Sequence, residues 1–213
     1  MTDHPTPPAI MSLSSLQAHV ARVVKARGFT SDLNEIFVLL TEEVGELATE
    51  FKHRLYYPER FDLAALAEEL VDILLYLLDL ANGFEVALAE LWPRHEAASD
   101  QRFAHRRKGG LAPARMAPEM TLNELIAHVE VKREERAFED TPENLMILLT
   151  EEVGEIATEI RKHWRGKQDR ERVGFEVIDA LTYLLRLAFV FEVDLEKALV
   201  RKEQENAERI WHY

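Results

Sequence analysis

Apolar residues recur every three or four positions along most of the chain, the period of one face of a helix rather than the alternation of a strand. The first stripe, Leu13, Leu16, Val20, Val23 and Val24, starts after the N-cap residue Ser12 and ends near Gly28. The second opens at Asp32, with Glu35 three residues on, and puts Ile36, Leu40, Val44, Leu47 and Phe51 on one face. A third helix, about Leu63 to Ala81, is apolar on most sides, so it is expected at the centre of a bundle. Its polar stripe holds Glu69, Asp72, Tyr76 and Asp79. A fourth runs from about Val86 to Arg102, where Pro93 is expected to interrupt it.

These four patterns then return. Residues 39–54, LLTEEVGELATEFKHR, and 148–163, LLTEEVGEIATEIRKH, agree at 11 of 16 positions at a shift of 109. The openings LSSLQAHV and LNELIAHV align at the same shift; Thr121 and Glu124 form a capping box, and Thr141 precedes Pro142 at a helix start. The next connection is two residues shorter in the second copy, so a shift of 107 sets Glu69 on Glu176. The last two helices are then expected at about Arg172–Phe191 and Leu195–Ile210. Between the copies, HRRKGGLAPARMAPEM is basic and rich in Gly, Pro and Ala, the composition of a linker. The expectation is an all-α protein of two four-helix units, 12–102 and 121–213, joined through 103–120 and preceded by a Pro- and Thr-rich disordered lead.

What repeats is a chemical feature. Each half carries five carboxylates as E-E-x-x-E followed by E-x-x-D: Glu42, Glu43, Glu46, Glu69 and Asp72, then Glu151, Glu152, Glu155, Glu176 and Asp179. Spacings of three and four residues bring side chains together on a helix, so two facing helices converge at least four carboxylates. Glu43 lies between Leu40 and Leu47 on the apolar face, where an unpaired carboxylate is costly. A solvated acidic face accounts for Glu42 and Glu50 but not for Glu43. A hard divalent cation such as Mg²⁺ takes oxygen ligands of this kind.

These residues resemble the MazG-type all-α nucleoside triphosphate pyrophosphohydrolases, with E-E-x-x-E and E-x-x-D separated by 22 residues in the first half and 20 in the second. Lys202, Asn206 and Arg209 resemble the family's closing K-x-x-x-N-x-x-R helix, whereas the first half has His95, Ser99 and Arg102 at the matching positions. The resemblance implies tandem MazG-like modules paired as an intramolecular pseudo-dimer, with two chains able to associate further. It also implies Mg²⁺, with Mn²⁺ as a substitute, on Glu152, Glu155, Glu176 and Asp179 and on Glu43, Glu46, Glu69 and Asp72. The reaction implied is cleavage of a nucleoside triphosphate between the α and β phosphorus atoms, with Glu151 or Glu152 activating water and Lys202, Asn206 and Arg209 on phosphates or ribose. Trp164 and Lys167, in a loop with Arg165 and Arg170, are candidate base and phosphate contacts. Because Lys202, Asn206 and Arg209 belong to the second half, that half is expected to supply most of the turnover. The opposite holds if the last helix reaches into the first half's cleft.

Composition narrows the partners. Lys and Arg total 26 against 39 Asp and Glu, a formal charge of −13, which opposes binding of long nucleic acid and makes metal the means of holding a polyanionic substrate. No apolar run is long enough for a membrane span, no signal-like start is visible and cysteine is absent, so a soluble cytoplasmic protein is expected. The rival readings are a dUTPase, a phosphoribosyl-ATP pyrophosphohydrolase and a non-catalytic helical interaction protein. A di-iron bundle needs two E-x-x-H pairs, and the chain offers only Glu50 with His53. The matched His19 and His128, one per helix, read as structural.

Overall fold

Helix starts are set by the side chains that sequence chemistry marks. In the computed structural model, which describes residues 5–106 and 114–208, Ser12 caps α1 (Leu13–Arg27) by accepting from the Ser15 amide. Gly28 ends that helix with φ 69°, a left-handed conformation that glycine adopts without strain. Asp32 caps α2 (Leu33–Tyr56) through the amides of Asn34 and Glu35, and Asp62 caps α3 (Leu63–Gly83). The fourth helix, α4 (Leu88–Arg102), runs unbroken through Pro93, contrary to the expectation. One lost hydrogen bond is tolerated there because Leu91 and Trp92 beside it are buried. In the second half Thr121 makes the capping box of α5 (Leu122–Glu135), and Thr141 caps α6 (Pro142–His163) with Pro142 at its start. Asp169 caps α7 (Arg170–Val190), and α8 (Leu195–Glu208) closes the described chain. Among the described residues there are eight α-helices, two single 3₁₀ turns and no strand.

The buried face of α2 is Ile36, Leu40, Val44, Leu47 and Phe51, as the periodicity requires. The greasy helices α3 and α7 occupy the centre and touch each other; α3 also meets α1, α2 and α8, and α7 meets α4, α5 and α6. The fourth helix of each half therefore packs against the third helix of the other half. The end of α4 lies beside α5, where Asp100 binds Lys132 at 2.7 Å and Arg136 at 3.0 Å. The end of the N-terminal lead is ordered: Met11 is buried, and its carbonyl accepts from the Leu122 amide at 2.8 Å. No helix of the described residues is long and apolar enough to cross a membrane.

His128 fastens this exchange by a hydrogen bond to α4, and His19 takes the matching place beside α8. His128 lies 2.5 Å from Glu96 of α4, and His19 lies 3.6 Å from Glu203 of α8. Gln17 fixes the corner between α3 and α4: its amide donates to the Val86 carbonyl at 2.8 Å, and its oxygen accepts from the Leu88 amide at 3.0 Å. Gln17→Ala leaves both backbone groups short of a partner. The expected cost is about 2–4 kcal/mol, read as a fall in Tm of about 5–10 °C by circular dichroism.

Candidate active site

Two carboxylate triads result from this packing. Helix α2 supplies Glu43, and α3 supplies Glu69 and Asp72 one turn apart; the three offer oxygens lying within 4.8 Å of one another. Helices α6 and α7 bring Glu152, Glu176 and Asp179 together in the same way. Glu46 and Glu155, also expected as ligands, are exposed and stand outside the triads. Glu46 is nonetheless close enough for its charge to push up the pKa of Glu43 and Glu69.

Electrostatics separates the triads from an ordinary acidic surface. Burial, then the charges of Asp72 and Glu69, raise the Glu43 carboxyl to about 8. Burial and Glu46 raise Glu69 to about 7. Glu152 is likewise pushed to about 8, by burial and then by Asp179 and Glu176. Glu43 and Glu152, each raised to about 8, hold a proton at neutral pH unless a cation shares the charge of their neighbours, so the donor set fits a hard divalent ion.

The surroundings of the two triads differ, and here one expectation is corrected. Lys202 does not join the second-half carboxylates: α8 crosses to α3, and Lys202 Nζ binds Asp72 Oδ2 at 2.5 Å. Burial works against the lysine's charge, but the hydrogen bond it donates to Asp72, together with the charges of Asp72, Glu68 and Glu69, outweighs burial and raises its pKa. Asn206, four residues along α8, lines the same cleft, while Arg209 lies outside the described residues. That cleft, about 630 Å³, is lined by Glu43, Asp72 and Asp79 together with apolar residues including Val20, Val23 and Leu75. The second triad instead receives α4. His95 binds Asp179 at 3.1 Å, and Ser99, Arg102 and Glu151 line a smaller cleft of about 330 Å³.

Arg172, on the same helix as Glu176, reaches its carboxylate at 2.5 Å. A cation of the chain's own thus sits on one ligand of the second triad. Burial keeps Glu176 above the usual carboxylate range, with Arg172 opposing. The matching residue in the first half is Ala65, which leaves Glu69 free of such a partner. Trp164 and Lys167 line neither cleft among the described residues. The exposed Trp164 ring instead donates to Asn34 Oδ1 at 2.6 Å, and Arg170 pairs with Glu85. The helical pattern alone does not single out Arg172 or Asp79. Comparing the halves position by position would have marked both, as Ala65 against Arg172 and Asp79 against Arg186.

Fold and site together define an all-α bundle with two carboxylate triads, one of them open to the larger cleft and served by a lysine from the far half of the chain. No family model matches the chain, and no solved structure matches it. Over 90 residues it is 36% identical to the uncharacterized protein YpjD of Bacillus subtilis (strain 168), across 39% of this chain and 78% of that protein. Over that stretch this chain belongs with YpjD in one family, and the name states no activity.

Proposed function

We propose that the chain hydrolyses nucleoside triphosphates to monophosphate and pyrophosphate as a MazG-like enzyme, its halves paired as an intramolecular pseudo-dimer, and that the first-half triad is the turnover site. The observation that carries this reading is Lys202 on Asp72 within the Glu43, Glu69 and Asp72 triad, at the mouth of a cleft of nucleotide size. Glu43, Glu69 and Asp72 would hold Mg²⁺ or Mn²⁺. Bound there, the ion neutralises phosphate charge and draws electron density from the attacked phosphorus.

The chain's own groups do the rest. Lys202 and Asn206 orient the phosphates, the lysine exchanging its Asp72 partner for a phosphate oxygen. Glu42 and Glu46, exposed beside the triad, are placed to take the proton of the attacking water. The water oxygen bonds to the α phosphorus, the bond from that phosphorus to the bridging oxygen breaks, and pyrophosphate leaves. The apolar walls exclude water from the rest of the nucleotide. In the second half, Arg172 and His95 already satisfy two of the three carboxylates, which suits a structural role.

A panel of ribo- and deoxyribonucleoside triphosphates with Mg²⁺, followed for pyrophosphate and orthophosphate separately, tests this. Pyrophosphate release that chelation abolishes is expected. Orthophosphate as the first product, or turnover that survives exhaustive chelation, would overturn it. No turnover of any member would favour a non-catalytic interaction protein, and restriction to uracil nucleotides a dUTPase.

A further inference from the structure

We infer that Asp79 selects the base, favouring a nucleobase edge that presents two adjacent N–H donors, an imino group beside an amino group as in guanine. The inference rests on the proposed triphosphate reaction and names the substrate class of that site.

Asp72, Tyr76 and Asp79 form one stripe along α3 and line one cleft. The two aspartates stand seven positions apart, a rise of about 10 Å along the helix. With phosphates at Asp72, that span suits the far edge of a base. Aliphatic Val20, Val23 and Leu75 line the same cleft beside Tyr76, Arg27 and Glu35, and the aliphatic side chains suit the faces of a flat ring.

Asp79 is half-buried and makes no hydrogen bond or ion pair among the described residues. Burial raises its carboxyl to about 6, so at neutral pH it is an acceptor without a donor. The second half shows the alternative arrangement. Arg186 stands at the matching position and is consumed internally, by Glu130 at 3.3 Å and by Asp140. Lys132 takes the place of Val23 there, bound to Asp100 at 2.7 Å. In one cleft the cations Lys132 and Arg186 are paired with the chain's own carboxylates, whereas the other holds an acceptor without a donor.

A carboxylate accepting two parallel N–H bonds discriminates by chemistry. Guanine offers an imino and an amino donor side by side. Uracil and thymine place carbonyl oxygens on both sides of their single imino group, and these repel the carboxylate. Hypoxanthine lacks the amino group.

The test measures kcat/KM for GTP, ITP and UTP with wild type and Asp79→Asn, beside calorimetric binding of guanosine and uridine 5′-monophosphates. Wild type is expected to prefer GTP over UTP by about 10- to 100-fold, with ITP between. Asp79→Asn, which sets an amide donor against guanine's donors, should bring the three within about threefold while the Mg²⁺-induced rise in Tm persists. If wild type turns over GTP and UTP equally, or Asp79→Asn keeps the wild-type ranking, the inference falls and the proposed reaction stands. If no nucleotide yields pyrophosphate, the reaction falls and the monophosphates decide. A guanosine preference lost in Asp79→Asn still supports the inference, and equal binding of the two overturns it.

Discussion

Asp72→Asn is expected to lower pyrophosphate release about 100- to 1000-fold, whereas Asp179→Asn keeps most of it. The two aspartates are equivalent in the repeat and sit in triads of the same size, so the difference must come from what surrounds them. Asp72 has Lys202, a full charge on a flexible stem that can follow a phosphate; Asp179 has His95, a shorter partner whose neutral form gives a phosphate less. Glu69 has no arginine on its own helix, whereas Glu176 is held by Arg172. The cleft beside Asp72 is about 630 Å³ and that beside Asp179 about 330 Å³. Steady-state rates of both variants, each checked for native helicity, give the answer. Loss confined to Asp179→Asn would place turnover in the second half and refute the assignment.

The helices and their faces were legible because they follow from local rules. Caps at Ser12, Asp32, Thr121 and Thr141 and the α2 core face all depend on residues within a few turns of one another. The carboxylates of each triad were legible for the same reason, since each copy of the motif carries its own. What periodicity does not encode is which half's fourth helix closes which cleft. An amphipathic helix such as α8 states only that one face is buried, and it meets that demand equally well against α3 or α7. The partner is chosen by long-range contacts, Lys202 to Asp72, Arg27 to Glu203 at 3.2 Å and His128 to Glu96, none of which has a sequence spacing to read. Lys202 is therefore legible in the sequence as a site residue, whereas which of the two triads it serves is not. Trp164 and Lys167 failed differently: a loop rich in aromatic and basic residues has the composition of a binding loop wherever it lies, and this one lies away from both clefts.

Mg²⁺ is expected to raise Tm by about 5–10 °C at pH 8 at a concentration near 100 times its dissociation constant, and by much less at pH 5.5. The argument starts from the metal-free triads. Glu43 and Glu152 are raised to about 8 and Glu69 to about 7 from an ordinary 4.5, chiefly by burial. At acid pH below 4.5 these groups are protonated in both the folded and the unfolded chain, and they cost nothing. Between there and pH 8 the unfolded chain has released protons that the folded chain still holds, so raising the pH favours unfolding, and the metal-free protein loses stability across that window. A divalent cation replaces those protons as the counter-charge, which makes its binding tighter as pH rises and its stabilisation largest where the bare triads are most strained. Arg172 already supplies part of that charge to the second triad, so most of the gain belongs to the first. Asp72→Asn should accordingly remove more of the Mg²⁺ shift than Asp179→Asn does. Thermal melts with and without Mg²⁺ at the two pH values, balanced with NaCl for ionic strength, measure both effects. A midpoint that Mg²⁺ leaves unmoved at pH 8 would mean that the triads bind no cation.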